Sequence, residues 1–300
     1  MYAEKSTIGR SETLAKPSDA PGGTGILRAG VQLLAAFSPS LATRVITRVW
    51  FTPPRARIDD TTRARLDEGR RVPLTIEGRP FAAWSFGEGP RVLLVHGWGG
   101  HGGQLIDFVA PLVAQGFEVV TFDGPGHGAS SPSTLGYRQG SFVEVASAIR
   151  VLADALGPFH AIVAHSGGAI ATGIALANGV RTRKLVLVAP MTRPLRYAER
   201  FNGWLGLDES QSRAWLSRAS DRARFAWADL DLTTAARRFP LPPVLLVHDR
   251  GDKEVPHDES IAVALAWPDA TLVDTEGLGH RRILHDPIVI DRVSNFVGQR

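Results

Sequence analysis

The chain has 300 residues, of which 44% are hydrophobic, so it is long enough to bury a full core as one domain with an insertion. Its net charge is only +4, and its basic residues form no run interleaved with aromatic side chains, which argues against nucleic-acid binding. The absence of cysteine excludes disulfides, thiolate nucleophiles and cysteine-ligated metals.

The N-terminal region is predicted to have two parts. Residues 1–25 are rich in Gly, Pro and Ser, and we expect a disordered or loosely attached tail. They hold no apolar segment as long as that of a secretory signal, so we expect a cytoplasmic protein. Residues 26–71 are predicted as a helical extension that begins with two amphipathic helices broken at Pro39. We expect residues 26–51 to pack on the core, and their arginines leave weak contact with an anionic membrane surface open.

From Val72 onward the pattern changes to short apolar strands. Residues 72–77 and 81–86 are predicted as a hairpin around Gly78, Arg79 and Pro80. Strands and amphipathic helices then alternate, which is typical of an α/β protein with a mostly parallel central sheet and helices on both faces. The predicted strands lie near residues 92–96, 118–122, 160–164, 184–188, 244–248 and 271–273. The predicted helices lie near residues 104–115, 142–156, 168–177, 259–266 and 287–297.

One connection is too long for such a fold. About fifty residues, rich in Trp, Leu and charged side chains, separate the strands at 184–188 and 244–248. We predict a helical insertion over residues 191–240 that lies as a lid over the carboxyl edge of the sheet, where ligands bind in such folds. The α/β core is then residues 72–190 and 241–300.

Ser166 lies in the segment AIVAHSGGAIA, where an apolar strand ends and a helix of small residues begins. A serine in a strained strand-to-helix turn presents its hydroxyl above the sheet, and the residues two before and two after it must be small. These are Ala164 and Gly168, whereas the usual pattern G-x-S-x-G has glycine at both positions. The pattern therefore predicts a nucleophilic serine.

A nucleophilic serine needs a base and a carboxylate that orients the base. Asp249 and Asp252 follow the strand at 244–248, and His280 follows the strand at 271–273. The order along the chain is serine, acid, histidine. We therefore predict a triad of Ser166, Asp252 and His280, with Asp249 as the alternative acid.

Five segments in the same order resemble the α/β-hydrolase superfamily: HGWGG, FDGPGHGAS, AHSGGA, HDRGDKEVP and GLGHRRIL. The resemblance runs from about Val72 to the C-terminus and implies a lidded, esterase-like serine hydrolase. It also favours Asp252 over Asp249 as the acid, because Val255 and Pro256 follow at the usual distance.

The resemblance further implies an oxyanion hole. Gly167, directly after the nucleophile, supplies one backbone N–H, and Trp98, in the loop after the first parallel strand, supplies the other. We also expect His96, Gly97 and His165 to contact the substrate.

The same glycine-rich loop permits another interpretation. Gly97, Gly99 and Gly102 satisfy G-x-G-x-x-G after a strand, and Asp123 ends the next strand, as in an NAD(P)-binding oxidoreductase. This alternative leaves the three triad residues unexplained. A non-catalytic binding protein with the hydrolase fold is the remaining alternative, because fold alone does not give function.

The sequence thus predicts hydrolysis of a carboxylic ester of a small to medium, moderately apolar substrate through an acyl-enzyme intermediate. The same triad also permits a lactonase, a C–C bond hydrolase or an acyltransferase. No metal-ligand pattern such as HExxH occurs, so we expect no metal and no cofactor. The oligomeric state is not indicated by the sequence.

Overall fold

An eight-stranded sheet forms the centre of the computed structural model, which describes residues 24–54 and 56–299. The tail predicted for residues 1–25 therefore lies almost entirely outside the described residues. In spatial order the strands are β1-β4-β6-β5-β7-β8-β9-β10; the pairs β1·β4 and β4·β6 are antiparallel and the others are parallel. The strands are β1 (Arg70–Arg71), β2 (Leu74–Ile76), β3 (Arg79–Phe81), β4 (Ala83–Phe86), β5 (Arg91–Val95), β6 (Glu118–Phe122), β7 (Phe159–His165), β8 (Thr182–Val188), β9 (Val244–Asp249) and β10 (Ala270–Thr275).

Helices cover both faces of this sheet. The α-helices are α1 (Thr24–Phe37), α2 (Pro39–Trp50), α3 (Asp60–Asp67), α4 (Val109–Ala114), α5 (Phe142–Leu156), α6 (Gly168–Ala177), α7 (Pro194–Leu205), α8 (Glu209–Ala223), α9 (Asp258–Ala266), α10 (Gly279–Arg282) and α11 (Pro287–Gly298). Three 3₁₀ segments span Gly102–Phe108, Trp227–Leu230 and Leu232–Arg237.

The alternation of side chains along each strand builds two separate cores. On β5, Leu93 and Val95 face the core formed with α5, α6 and α9, whereas Val92 and Leu94 face the core formed with α3, α4 and α11. A strand buried on both faces is therefore apolar throughout, as the sequence of this segment is. The predicted α/β architecture is confirmed.

The structure corrects the predicted hairpin and one predicted helix. The hairpin is shorter than predicted: β2 pairs with β3 around Glu77 and Gly78, and β4 leaves it to join the main sheet against β6. Residues 104–115 are not one helix, because the 3₁₀ segment from Gly102 to Phe108 bends at Leu105 before α4 begins. The extension also contains α3, a short helix that the sequence pattern did not reveal.

A third core joins the N-terminal helices to the inserted segment, which we define as residues 191–240. Val31, Ile46 and Phe51 are buried against residues of α7 and α8, among them the fully buried Trp215. On the outer side of α1, the side chains of Ile26 and Phe37 are exposed. Weak membrane contact through residues 26–51 stays a prediction. None of the described helices is long and apolar enough to span a bilayer.

The sheet topology decides where a site can form. β5 lies between β6 and β7, so the loops that follow β5 and β7 diverge in opposite directions from adjacent strand ends. Such a switch of direction leaves a crevice at the carboxyl edge of the sheet. The glycine-rich loop after β5 and the Ser166 turn after β7 border this crevice.

Candidate active site

Ser166 occupies a strained turn between β7 and α6. Its φ is +52°, a left-handed value that is uncommon for a residue with a side chain. Its N–H donates to the carbonyl of Val188, and its carbonyl accepts from the N–H of Met191, which hold the turn to the end of β8. A backbone held in this way raises the hydroxyl above the sheet.

The small residues around the turn have different reasons to be small. A Cβ on Gly168 would lie 2.6 Å from the carbonyl oxygen of His96, so this position admits only glycine. Ala164 pairs with Val95 on the neighbouring strand, and its methyl group is fully buried in the core. The departure from G-x-S-x-G therefore fills core space and does not disturb the turn.

His280 and Ser166 lie within hydrogen-bonding distance. His280 Nε2 is 3.0 Å from Ser166 Oγ, and only 8% of the histidine and 7% of the serine is exposed. His280 lies in the first turn of the short helix α10. It follows Gly277 and Gly279, both of which have positive φ. An imidazole in this position can accept the hydroxyl proton.

Asp252 completes the line of hydrogen bonds. Its Oδ2 accepts from His280 Nδ1 at 2.7 Å, and its Oδ1 accepts from the N–H groups of Glu254 and Val255. Burial alone raises the pKa of this carboxyl, but the hydrogen bonds from His248 and His280 outweigh burial and hold the pKa well below its ordinary value. Asp252 is thus an anion that fixes Nδ1 of His280 as the protonated nitrogen.

Asp249, the alternative acid, has other partners. Its carboxylate accepts from the N–H groups of Gly251 and Leu278 and from the hydroxyl of Thr275. It therefore ties the end of β9 to the loop that carries His280 and does not contact the imidazole ring. Asp252 therefore orients the imidazole of His280, and Asp249 holds the loop that carries it.

His248 is a site residue that the sequence pattern missed. Its Nε2 lies 3.1 Å from the carbonyl of Val255 and 3.3 Å from Asp252 Oδ2, so this nitrogen carries the proton. Its Nδ1 accepts from the hydroxyl of Ser260. His248 thus interacts with the same oxygen of Asp252 that accepts from His280. The only sequence signal was a histidine at the end of a strand that precedes the acid loop.

The backbone N–H groups of Trp98 and Gly167, which the sequence predicts as oxyanion donors, lie close to each other near the serine, and their role stays a prediction. Trp98 and Gly167 are close together, because a Cβ on Gly167 would lie 3.4 Å from the Trp98 nitrogen. The loop before Trp98 is fixed by Gln104, whose Oε1 accepts from the N–H of Gly97 at 2.7 Å. Among the described residues, neither Trp98 N–H nor Gly167 N–H has a protein acceptor.

His96 and His165 do not line the large cavity described below. His96 uses both ring nitrogens: Nε2 accepts from Gly124 N–H and Nδ1 donates to the carbonyl of Gly97. His165 Nε2 donates to the backbone carbonyl of His280, and the two rings pack at a centroid distance of 4.6 Å. Because both side chains are almost fully buried, the geometry corrects the expectation of direct substrate contact for these two residues.

Gly97 also serves the backbone. A Cβ there would lie 3.0 Å from Ser166 Cβ and from His165 Nδ1, so glycine lets the loop approach the serine. Gly97 does not line the large cavity described next.

A cavity of about 380 Å³ opens beside the serine turn. Trp98, Phe142 and Met191 line it, and the N–H of Met191 donates to the Ser166 carbonyl. Its walls come from the end of α2, the start of α5 and the inserted segment, mainly through aromatic side chains. They include Trp50, Phe51, Tyr197, Phe201, Trp204, Phe225 and Trp227.

The comparisons with known proteins agree with this geometry. A model of the Alpha/beta hydrolase family matches residues 92–291, which is about two thirds of the chain. The chain belongs to the alpha/beta hydrolase family.

Curated relatives of this alpha/beta hydrolase include esterases and a peroxidase. It is 28% identical over 241 residues to a pimeloyl-[acyl-carrier protein] methyl ester esterase of Nitrosomonas europaea, which covers 67% of this chain and 92% of the relative. It is 23% identical over 252 residues to a non-heme chloroperoxidase of Streptomyces lividans, covering 69% of this chain and 91% of the relative. These relatives support a hydrolase.

Solved structures show the same fold. A putative lipase of Acinetobacter baumannii aligns with a TM-score of 0.59 and 18% identity, over 81% of this chain and 97% of that one. A membrane phospholipase A aligns with a TM-score of 0.55 and 18% identity, over 92% of this chain and 96% of that one. At such identities the likeness concerns the fold alone.

In this alpha/beta hydrolase the glycine-rich loop has a structural role that differs from a dinucleotide cradle. Asp123, which the NAD(P) interpretation assigned to a ribose, is 3% exposed and accepts from the N–H groups of Gly102 and Ala129. Its carboxylate is therefore occupied in joining two loops. Within residues 24–54 and 56–299, no group of three or more His, Asp or Glu side chains is arranged to hold a metal ion.

Proposed function

We propose that the chain is a serine hydrolase that cleaves a carboxylic ester of a small to medium, moderately apolar substrate. One observation carries this proposal: the continuous line from Asp252 through His280 to Ser166, with spacings of 2.7 and 3.0 Å, ends at the serine turn beside an aromatic cavity. Fold stability alone would not require a strained serine turn and a chain of hydrogen bonds from a carboxylate through an imidazole to that same serine.

In the proposed mechanism His280 Nε2 takes the hydroxyl proton while Ser166 Oγ attacks the ester carbonyl. The anion of Asp252 stabilises the imidazolium that forms and keeps its ring in place. The N–H groups of Trp98 and Gly167 donate to the oxyanion of the tetrahedral intermediate, and losing one such donor typically costs about 10²–10³ in turnover. The imidazolium then protonates the leaving alcohol, and water releases the acyl group by the reverse sequence.

The inserted segment supports an apolar substrate and a role as a lid. It supplies most of the aromatic wall of the cavity, and large apolar side chains are the usual lining of a small-molecule pocket. It is fastened to the core at its start, where the buried carboxylate of Glu259 accepts from the N–H groups of Thr192 and Arg193. The size of the cavity beside the serine turn therefore depends on this segment.

A chain-length panel of 4-nitrophenyl esters tests the proposed reaction. We expect release of 4-nitrophenol by the full-length protein, with kcat reduced by about 10⁴ or more in Ser166→Ala and His280→Ala. The matched control is Ser217→Ala, an exposed serine on α8, which should behave as the parent protein. Ester hydrolysis that survives both triad substitutions would refute the mechanism.

Labelling with a fluorophosphonate separates the enzyme from a binding protein of the same fold. The reagent should modify the parent protein and Ser217→Ala at one site and leave Ser166→Ala unmodified, because only an activated serine reacts. A folded parent protein that takes no label contradicts the proposal. A lactone and an acceptor alcohol added to the ester panel distinguish lactonase and acyltransferase activity on the same triad.

A further inference from the structure

Three polar atoms on α7 border the cavity without a partner. Tyr197 Oη, Arg200 Nε and Trp204 Nε1 are each buried, and none has a hydrogen-bond partner in the part of the chain that the structure describes. All three side chains line the cavity beside Ser166. Their spacing of three and four residues places them on one face of the helix.

Unpartnered polar atoms of this kind are uncommon in folded proteins, because each one costs free energy unless something bonds to it. Arg200 Nε and Trp204 Nε1 can only donate hydrogen bonds. Tyr197 can donate as well, since burial and then the charge of Glu259 raise the pKa of its hydroxyl and keep it protonated. The missing partner is therefore a hydrogen-bond acceptor.

The charges around α7 indicate which kind of acceptor. Arg193 and Arg196, one helical turn earlier, form ion pairs with Asp258 and Glu259. Arg200 has no carboxylate within ion-pair distance among the described side chains, and its guanidinium lies 5.5 Å from the Trp204 ring centre. A cation that faces an aromatic cavity without an anion attracts an anionic ligand group.

We propose that Tyr197, Arg200 and Trp204 form a subsite for a carboxylate carried by an otherwise apolar substrate. This inference rests on the proposed function, and it narrows the substrate class to apolar esters with a carboxylate at the end remote from the scissile bond. The aromatic walls hold the hydrocarbon part, and the α7 face holds the anion. The ester bond is then directed to Ser166.

Ligand binding tests the subsite without relying on catalysis. Ser166→Ala is titrated with 4-phenylbutyrate and with 4-phenylbutyramide, which has nearly the same shape and no charge, and binding is followed by fluorescence of the cavity tryptophans. We expect the carboxylate to bind about tenfold more tightly, since charge-assisted hydrogen bonds are roughly twice as strong as neutral ones. Equal binding of the two ligands, or binding of neither, overturns the subsite.

Variants of Arg200 assign the preference to this face. Arg200→Met in the same background should bind both ligands equally, and Arg200→Lys should keep part of the preference for the carboxylate. The matched control is Arg218→Met, an exposed arginine on α8 of the inserted segment, which should keep all of it. Circular dichroism establishes that each variant is folded. A preference that survives in Arg200→Met assigns the anion to another group and overturns the proposal.

Turnover distinguishes failure of the subsite from failure of the proposed function. With Ser166 intact, the mono-4-nitrophenyl esters of hexanedioic, octanedioic and decanedioic acid are compared with their methyl-capped counterparts. For at least one length, we expect kcat/KM to be about tenfold higher for the free carboxylate, mainly through KM, and equal to that of the capped ester in Arg200→Met. A binding preference without turnover supports the subsite and removes the ester hydrolase, whereas Ser166-dependent turnover without any preference does the reverse.

Discussion

Asp249 ends β9 and Asp252 lies three residues later in the loop that follows, yet their surroundings give them different partners. The carboxylate of Asp252 accepts hydrogen bonds from His280 and His248, whereas that of Asp249 accepts from Thr275 at the end of β10 and from Leu278 in the loop after it. A carboxylate that orients an imidazole must reach its Nδ1, and only one of the two does. Distance and direction, rather than residue type, select the acid.

Asp252→Asn tests this selection. An amide in place of the carboxylate no longer favours the tautomer with a proton on Nδ1 of His280, so we expect kcat for a 4-nitrophenyl ester at pH 7 to fall by about 10⁴. Steady-state kinetics measure the effect. In the comparison variant Asp249→Asn we expect mainly a lower melting temperature. A larger loss of kcat in Asp249→Asn than in Asp252→Asn would reverse the two assignments.

Ala164→Gly tests the departure from the usual serine motif. The substitution removes a fully buried methyl group and places glycine inside a strand, which together cost about 1.5 kcal/mol of unfolding free energy. The methyl group of Ala164 packs in the core, whereas the turn itself depends on glycine at position 168, so kcat should stay within about twofold. Urea denaturation and ester kinetics provide the two values, and a marked gain or loss of kcat would show that the methyl group shapes the site.

At the scale of elements, the alternation of strands and helices was predictable and the partners of the first strands were not. The strands β5 to β9 are easy to recognise in the sequence as short apolar runs, because each strand is buried on both faces. The sequence pattern predicts one strand over residues 81–86, whereas the structure has β3 ending at Phe81 and β4 beginning at Ala83. A period of two shows that a strand exists but not which strand it pairs with. The pairing of β4 with β6 joins residues that are 33 positions apart even at the closest register pair, Phe86 with Val119, so it depends on the folded sheet.

In this antiparallel pairing Ser85 lies opposite Val120 and Phe86 lies opposite Val119. Their partners are separated from them by a strand, a 3₁₀ segment and a helix, so no local pattern in the sequence specifies the register. The short helix α3 is not detectable from the sequence for a related reason. Its sequence DTTRARLD buries only Leu66, and a helix with one buried side chain has no apolar periodicity to detect.

Trp215→Ala tests the coupling between α8 and the N-terminal helices. Trp215 is fully buried, packs against Trp50 with ring centres 5.2 Å apart, and donates from Nε1 to Asn202. Truncating it should cost about 3–5 kcal/mol, and Trp215→Phe should cost less because it keeps the ring packing. Thermal and urea unfolding measure both variants. Equal, small losses would show that the inserted segment is held by other contacts.

At the scale of the whole molecule, several buried histidines couple stability to pH. Burial lowers the pKa of His96 to about 4 and that of His127 to about 3, and burial beside His280 lowers the pKa of His165 well below its ordinary value. In the unfolded chain these residues bind protons near pH 6.5. Below that pH the unfolded state therefore holds more protons than the folded state, and the free energy of unfolding falls.

We expect stability to be at its full value above about pH 6.5 and to decrease between about pH 6.5 and 4, by about 1.4 kcal/mol per pH unit for each such histidine. Asp252, whose pKa is lowered from 3.8, adds to the loss only at still lower pH. Urea unfolding at a series of pH values measures the slope of the unfolding free energy against pH. His127→Asn should reduce this slope by the contribution of one histidine, about 1.4 kcal/mol per pH unit. A free energy that is constant from pH 7 to 5 would contradict the neutral state of these histidines.

The sequence by itself determined the α/β architecture, the serine turn and the order of serine, acid and histidine along the chain, because these depend on local patterns and on glycine at fixed positions. Its choice of Asp252 over Asp249 as the acid came from the family resemblance. Only the tertiary structure decided what His96, His165 and His248 contact, and only it brought Tyr197, Arg200 and Trp204 of α7 to the cavity beside Ser166. The physical reason is that a side chain's partners come from distant segments, whereas a strand or a turn is specified by its own residues.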